Sequence, residues 1–273
     1  MHITSRDNSL LRQARAVRDG KVDELIFIEG LRLCEEALRS QLTIEAVVVS
    51  EELLRKERVA GVIEELSQAS KRFGSVSEKL LESVSYTKTP QGIIVLAQRP
   101  DASESHLAVH LPVSPLLVVL HQINNPVNVG AILRTSEAAG AAGVITTKNT
   151  SDPFSPKSLR GAMGSAFRLP IWSGPSYAET IDWCRQRGIA SICADVDATT
   201  SYTGIDWTGP GALILGPEST GLTAGELELA DQRVSIPMRG MAESLNVAVA
   251  AGVLLFEAAR QRSGILNAEG VVD

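Results

Sequence analysis

Three short segments place polar residues directly after strand-like apolar runs, and their spacing suits a ligand site. In NNPVNVGAILR, Asn128 stands where a loop enters a helix, Gly130 permits close backbone approach, and Arg134 follows one turn later on the same face. The same residues also suit a capped helix carrying a surface arginine. In LILGPESTGL, a buried strand opens into Gly216, Pro217 and Glu218, and Gly221 follows. Two glycines around a carboxylate suit a tight loop whose backbone faces a ligand, or an ordinary strand-to-helix turn. In SIPMRGMAESLN, Ile236, Pro237 and Met238 leave a strand, and Ser244, Leu245 and Asn246 open a helix rich in small apolar residues. Ser244 is the expected cap of that helix, which leaves Asn246 free for another task.

The elements that would position these residues alternate regularly. LLVVL (116–120), GVITT (143–147), IASICA (189–194), GALILG (211–216) and RVSIPM (233–238) read as strands. Between them VGAILRTSEAA, SLRGAMGSAF, YAETIDWCRQR and the segment from Thr223 to Ala230 read as helices, and a long helix runs from Ser244 to Arg262. The pattern predicts an α/β domain over residues 114–265, with a mainly parallel sheet covered by helices on both faces. Such sheets bind ligands at the carboxyl ends of their strands.

Residues 1–98 form a smaller α/β unit in this reading. A helix capped by Asp7 or Asn8 stops at Gly20, followed by strand LIFIEG, helix LRLCEEALRS, strand AVVVS, helices near 51–69 and 77–83, and strand GIIVLA. Residues 99–113, with prolines and small polar residues and no period, read as a linker.

Composition narrows the function classes. Hydrophobic residues are 44% of the 273 and charged residues 21%, which excludes wholesale disorder. The net charge of −6 argues against a protein held to nucleic acid by bulk charge. The imbalance is local, however: residues 1–100 carry 15 basic and 15 acidic side chains, and residues 101–273 carry 11 and 17. Cys34, Cys184 and Cys193 form no CxxC pair, and His106 and His110 have no third ligand nearby, so reduced thiols and no metal are expected. The N-terminus has no apolar signal core, and the longest apolar run, Val247 to Phe256, is about half a membrane span, so a cytoplasmic protein is expected. Phosphate-loop, GxGxxG, GxSxG and HExxH signatures are absent, which disfavours a Walker ATPase, a dinucleotide dehydrogenase, a serine hydrolase and a zinc protease.

Taken in order and spacing, the three polar segments resemble the SpoU family of RNA ribose methyltransferases, within the SPOUT superfamily. Asn128, Gly130 and Arg134 match its N-x-G-x-x-x-R motif; Gly216, Glu218, Gly221 and Leu222 match G-x-E-x-x-G-L; Ile236-Pro237-Met238 and Ser244-Leu245-Asn246 match I-P-M and S-L-N. The match runs from Leu116 to Arg262. IEGLRLCEEAL and TPQGIIVLA resemble the L30e-like substrate-binding domain that many members carry. The chain departs from the family pattern at His121, where an Asp is common, at Asn125, where an Asp often precedes the proline, and at Ser219, where Gly is usual.

The resemblance implies a trefoil knot, S-adenosylmethionine as cofactor, a homodimer, and methylation of a ribose 2′-hydroxyl in RNA. The expected substrate is 23S ribosomal RNA; transfer RNA, or a non-catalytic RNA-binding or ribosome-assembly role, are the alternatives. It implies that the backbone at Gly216, Ile236 and Leu245, with Met238 and Gly221, holds the cofactor. It implies that Asn128, Glu218, Ser244 and Asn246 shape the reacting site around Arg134, the family's proposed base. A guanidinium ordinarily keeps its proton to above about pH 12, so Arg134 as proton acceptor and Arg134 as phosphate clamp are both open. For RNA, the first helix offers Arg12, Arg15 and Arg18 on a stripe separate from its apolar face, as a phosphate contact or as a solvated surface.

Overall fold

The computed structural model describes residues 1–268, with side chains described to Ser263. The chain forms two compact units, Met1–Pro100 with Phe154–Arg168, and Asp101–Pro153 with the residues from Leu169 onward.

The first unit runs β1 (His2–Ile3), α1 (Ser9–Arg18), β2 (Leu25–Glu29), α2 (Leu31–Arg39), β3 (Ile44–Ser50), α3 (Glu51–Leu54), α4 (Ala60–Ala69), β4 (Arg72–Val76), α5 (Glu78–Glu82) and β5 (Ile93–Gln98). Its mixed sheet has the order β1-β4-β3-β5-β2. Helix α1 forms because Asn8 accepts the Leu10 N–H at its start and Leu10, Leu11, Ala14 and Val17 recur on one face. That face packs against Phe27, Val48, Ile94 and Leu96 of the sheet. Strand β4 lies in a stretch that the sequence reading left without structure. Its RFGSV is interrupted by Gly74, which is needed because the Ile3 side chain stands 2.6 Å from where a Cβ would be.

The second unit continues with α6 (Glu104–Val109), β6 (Leu116–Leu120), α7 (Pro126–Ala138) and β7 (Gly143–Thr146). The chain then lays α8 (Pro156–Ala162) and α9 (Ser165–Arg168) within the first unit before returning through β8 (Ile171–Ser173), α10 (Tyr177–Gln186), β9 (Ala190–Ala194), β10 (Gly211–Leu215), α11 (Ala224–Leu229), β11 (Gln232–Val234) and α12 (Val247–Ala268). All six strands are parallel, in the order β11-β9-β10-β6-β7-β8, as the buried β-branched runs predict. Strands β6 and β10 lie at the centre and are buried along their whole length.

Four expectations change. The segment read as a linker, 99–113, holds α6, whose Leu107 is fully buried; its prolines stand outside the helix, and six residues are too few to show a period. SLRGAMGSAF is two helices, broken where Met163 and Gly164 take positive φ, and it packs in the first unit: Arg168 pairs with Glu36, and the Glu36 side chain fills the space beside Gly164. The terminal helix begins at Val247, three residues later than read. Its cap is Asn246, not Ser244, because the Asn246 Oδ1 accepts the N–H groups of Ala248 and Val249. Among the described residues no helix is long and apolar enough to cross a membrane.

Candidate active site

The carboxyl end of β10 opens into the loop 216–222, and the glycine there is dictated by packing. A Cβ on Gly216 would lie 2.8 Å from the Leu222 side chain and 3.1 Å from its backbone nitrogen. Gly221 takes φ +63°, a conformation that favours glycine, and its N–H closes the loop on the Pro217 carbonyl at 3.0 Å. Glu218 in this loop is exposed.

A second loop, from Ile236 to Asn246, faces the first across a cavity of about 610 Å³. Gly216, Glu218, Gly221, Ile236, Met238, Ser244, Leu245 and Asn246 all line it, so eight of the residues singled out in the sequence share one cavity. Asp195 and Arg233 line it too, and the sequence reading missed them. They are 38 positions apart and meet only because β9 pairs with β11; Arg233 Nε lies 2.8 Å from Asp195 Oδ2.

Helix α7 supplies the other part. Asn125 caps it by accepting the Val127 N–H at 3.0 Å, and Pro126 occupies the first turn, where no donor is needed. Asn128 is 7% exposed, and its Nδ2 is buried without a partner. Its Oδ1 accepts a long hydrogen bond, 3.4 Å, from Asn246 Nδ2. A buried amide donor left unpaired is costly, and it marks a place where a ligand acceptor would be favoured. Arg134, further along α7, is exposed and has no hydrogen bond or ion pair among the described residues.

The three arginines of α1 separate. Arg18 donates to Asp19 and to the carbonyls of Val84 and Ser85, and Arg15 donates to the Arg6 carbonyl. Both fasten α1 to its own unit. Arg12 alone is exposed without a partner among the described residues. In the second unit Arg185, Arg187, Arg233 and Arg260 are paired with carboxylates, and Arg262 donates to four backbone carbonyls. Arg239, in the 236–246 loop, is exposed and unpaired among the described residues.

Known proteins share both the sequence and this arrangement. Residues 115–256, over half of the chain, match the SpoU rRNA Methylase family, and residues 10–95 match the MRM3-like substrate binding domain. The chain is 32% identical to an uncharacterized tRNA/rRNA methyltransferase of Synechocystis, over 95% of this chain and 94% of that one. It is 32% identical to a 23S rRNA (guanosine(2553)-2′-O)-methyltransferase of Bacillus subtilis, over 84% and 86%. An AdoMet-bound rRNA methyltransferase from Sinorhizobium meliloti superposes with a TM-score of 0.82 at 29% identity, covering 95% of this chain and 97% of that one. With its three motifs gathered at the ends of a parallel sheet, the chain belongs to the SpoU rRNA methylase family.

Proposed function

We propose that this methyltransferase uses S-adenosylmethionine to methylate a ribose 2′-hydroxyl in 23S ribosomal RNA. The observation that carries the reading is the convergence of the 216–222 and 236–246 loops on one cavity, beside an amide donor that the protein leaves unpaired. The volume is that of a site for a nucleoside-sized ligand. When bound, the cofactor supplies a methyl group made electrophilic by its sulfonium. Backbone groups at Gly216, Ile236 and Leu245, with Met238 and Gly221 beside them, hold its nucleoside; neutral backbone donors and acceptors suit an adenine edge.

Asn128 and Asn246 fix one another, and with Glu218 and Ser244 they shape the space in which the ribose sits. Arg134 orients the reacting nucleotide through its phosphate and assists removal of the hydroxyl proton, as clamp or as acceptor. Among the described residues Arg12 and Arg239 are two exposed, unpaired cations suited to phosphate contact, the first on the substrate-binding unit and the second beside the cavity. In this reading the substrate-binding part is the unit of residues 1–100 with 154–168, and the rest of the chain carries the chemistry. The reading includes the knotted arrangement of the family, and it puts the reaction in the cytoplasm, where ribosomal RNA is made into ribosomes.

The reading also includes a homodimer. Helices α7 and α12 pack together, yet Val127, Val249 and Phe256 on them stay exposed, the last two by 54% each. Such an apolar surface suits burial against a second subunit.

Calorimetry with S-adenosylmethionine tests the site, and mapping 2′-O-methylation in total RNA with and without the gene tests the substrate. Absence of binding at millimolar cofactor would overturn the reading, whereas methylation lost from transfer RNA alone would move it to the other substrate class.

A further inference from the structure

We propose that His121, one of the residues at which this chain departs from the family pattern, is a positioning residue for the cofactor loop. It fastens the first turn of α11 to the ends of β6 and β7 and so holds the 216–222 loop in its ligand-facing shape. The inference rests on the methyltransferase reading of the cavity.

The imidazole is 4% exposed and bridges three elements. Its Nδ1 lies 2.9 Å from Thr147 Oγ1 just beyond β7, and its Nε2 lies 2.9 Å from Glu226 Oε1 on α11. The Tyr177 ring of α10 packs against it at 4.8 Å between centroids, and the Tyr177 hydroxyl donates to the Glu226 carbonyl at 3.0 Å. The His121 backbone N–H donates to the Leu215 carbonyl at 2.9 Å, one residue before Gly216.

Glu226 is the link to the loop. Its second oxygen, Oε2, accepts both the N–H and the hydroxyl of Thr223, each at 2.8 Å, and Thr223 in return accepts the Glu226 N–H. This reciprocal cap fixes the residue directly after Leu222, the side chain that packs on Gly216. The His121 side chain thus secures the finish of the loop through Glu226 and Thr223, while its backbone continues the β6–β10 ladder at the start. A histidine serving the core alone needs only a local carbonyl; this ring takes a carboxylate from 105 positions away that already completes a helix cap.

The bridge also predicts which substitution is tolerated. With Gln in place of Glu226, the amide oxygen keeps the Thr223 bond and the amide nitrogen donates to His121 Nε2. The imidazole proton then moves to Nδ1 and is donated to Thr147, whose hydroxyl has the Leu120 and Lys148 carbonyls within 3.5 Å.

The test measures cofactor affinity by calorimetry and kcat at saturating cofactor, in the full chain, with thermal denaturation as the folding control. His121→Ala and Glu226→Ala are each expected to raise Kd and KM for S-adenosylmethionine about ten-fold, while kcat at saturation stays within about two-fold. The double variant is expected to lose no more than either single one, since the two residues act as one link. Glu226→Gln is expected to bind within about three-fold of the wild type. Should His121→Ala not fold, Thr147→Val removes only the Nδ1 partner, with an expected rise of about three-fold. Wild-type affinity in the folded histidine variant, additive losses in the double variant, or loss confined to kcat would each overturn the proposal. A wild-type protein that binds no cofactor would instead overturn the reading on which it rests.

Discussion

Asn246 serves two neighbours with its two amide atoms: its Oδ1 caps α12 through the N–H groups of Ala248 and Val249, while its Nδ2 reaches Asn128 Oδ1 on α7. One side chain thus starts the terminal helix and fixes a buried residue of the site 118 positions earlier. The two tasks can be separated by mutation. Asn246→Asp keeps the cap acceptor and loses the donor. It is expected to retain the wild-type Tm while lowering kcat. Asn246→Ala loses both, with a stability loss of about 1 kcal/mol in denaturant melts as well as a lower kcat. Equal stability losses in the two variants would contradict the division of tasks.

Arg134 has no partner among the described residues, so its removal leaves none of their buried groups unsatisfied. Arg134→Ala is expected to fold normally, bind S-adenosylmethionine within about three-fold, and lose methyl transfer by about a hundred-fold or more. Arg134→Lys keeps charge without the planar fork and is expected to recover only part of the activity. Turnover at the wild-type rate in Arg134→Ala would remove this residue from the mechanism.

The exposed apolar residues of α7 and α12 predict a dimer in solution. Light scattering at micromolar concentration should give twice the chain mass. Val249→Glu combined with Phe256→Asp should give a monomer, because charges cannot be buried unpaired in such an interface. A wild-type monomer would contradict the assignment.

The arginines of α1 should behave differently from one another. Arg12→Ala is expected to weaken RNA binding and lower the slope of log affinity against log salt by about 0.7–0.9, the share of one phosphate contact. Arg15→Ala and Arg18→Ala are expected instead to lower stability by about 1 kcal/mol each, since they bond to carbonyls within the unit. An unchanged salt slope in Arg12→Ala would return that residue to the solvated surface.

Acid should weaken the cap of α11. Burial pushes the Glu226 carboxyl up, but the Thr223 backbone and hydroxyl and the nearby His121 outweigh it and hold it below the ordinary carboxylate range. A carboxyl depressed on folding contributes its stability in full above its unfolded value, about 4.3, and loses it as pH falls through the lower folded value. His121 and Thr223 face its oxygens, while the Tyr177 hydroxyl, with Cys193 behind it, bonds to the Glu226 backbone carbonyl. Thermal melts between pH 6 and pH 3 should therefore show a steeper decline for the wild type than for Glu226→Gln, which has no proton to gain. Parallel curves would show that Glu226 contributes nothing to the acid limb.

The sequence by itself determined the parallel sheet, because five buried apolar runs alternating with helices leave few other folds, and it determined the motif residues, because Gly216, Gly221 and Asn128 stand at strand and helix ends where side-chain type is restricted. It determined the apolar face of α1 for the same periodic reason. What it left undecided are matters of approach in space. Two-to-five-residue strands such as β1, β4 and β8 exist only because a neighbour offers a pairing edge, and their sequences carry no period of their own. The assignment of residues 154–168 to the first unit depends on Glu36 meeting Gly164 and Arg168. Whether Arg18 of α1 is free or spent depends on carbonyls more than 60 positions away. Asp195 with Arg233, and His121 with Glu226, become pairs only when the strands are laid side by side. Local pattern fixes which face of an element is buried; only the tertiary structure decides which polar atoms that burial brings within hydrogen-bonding distance.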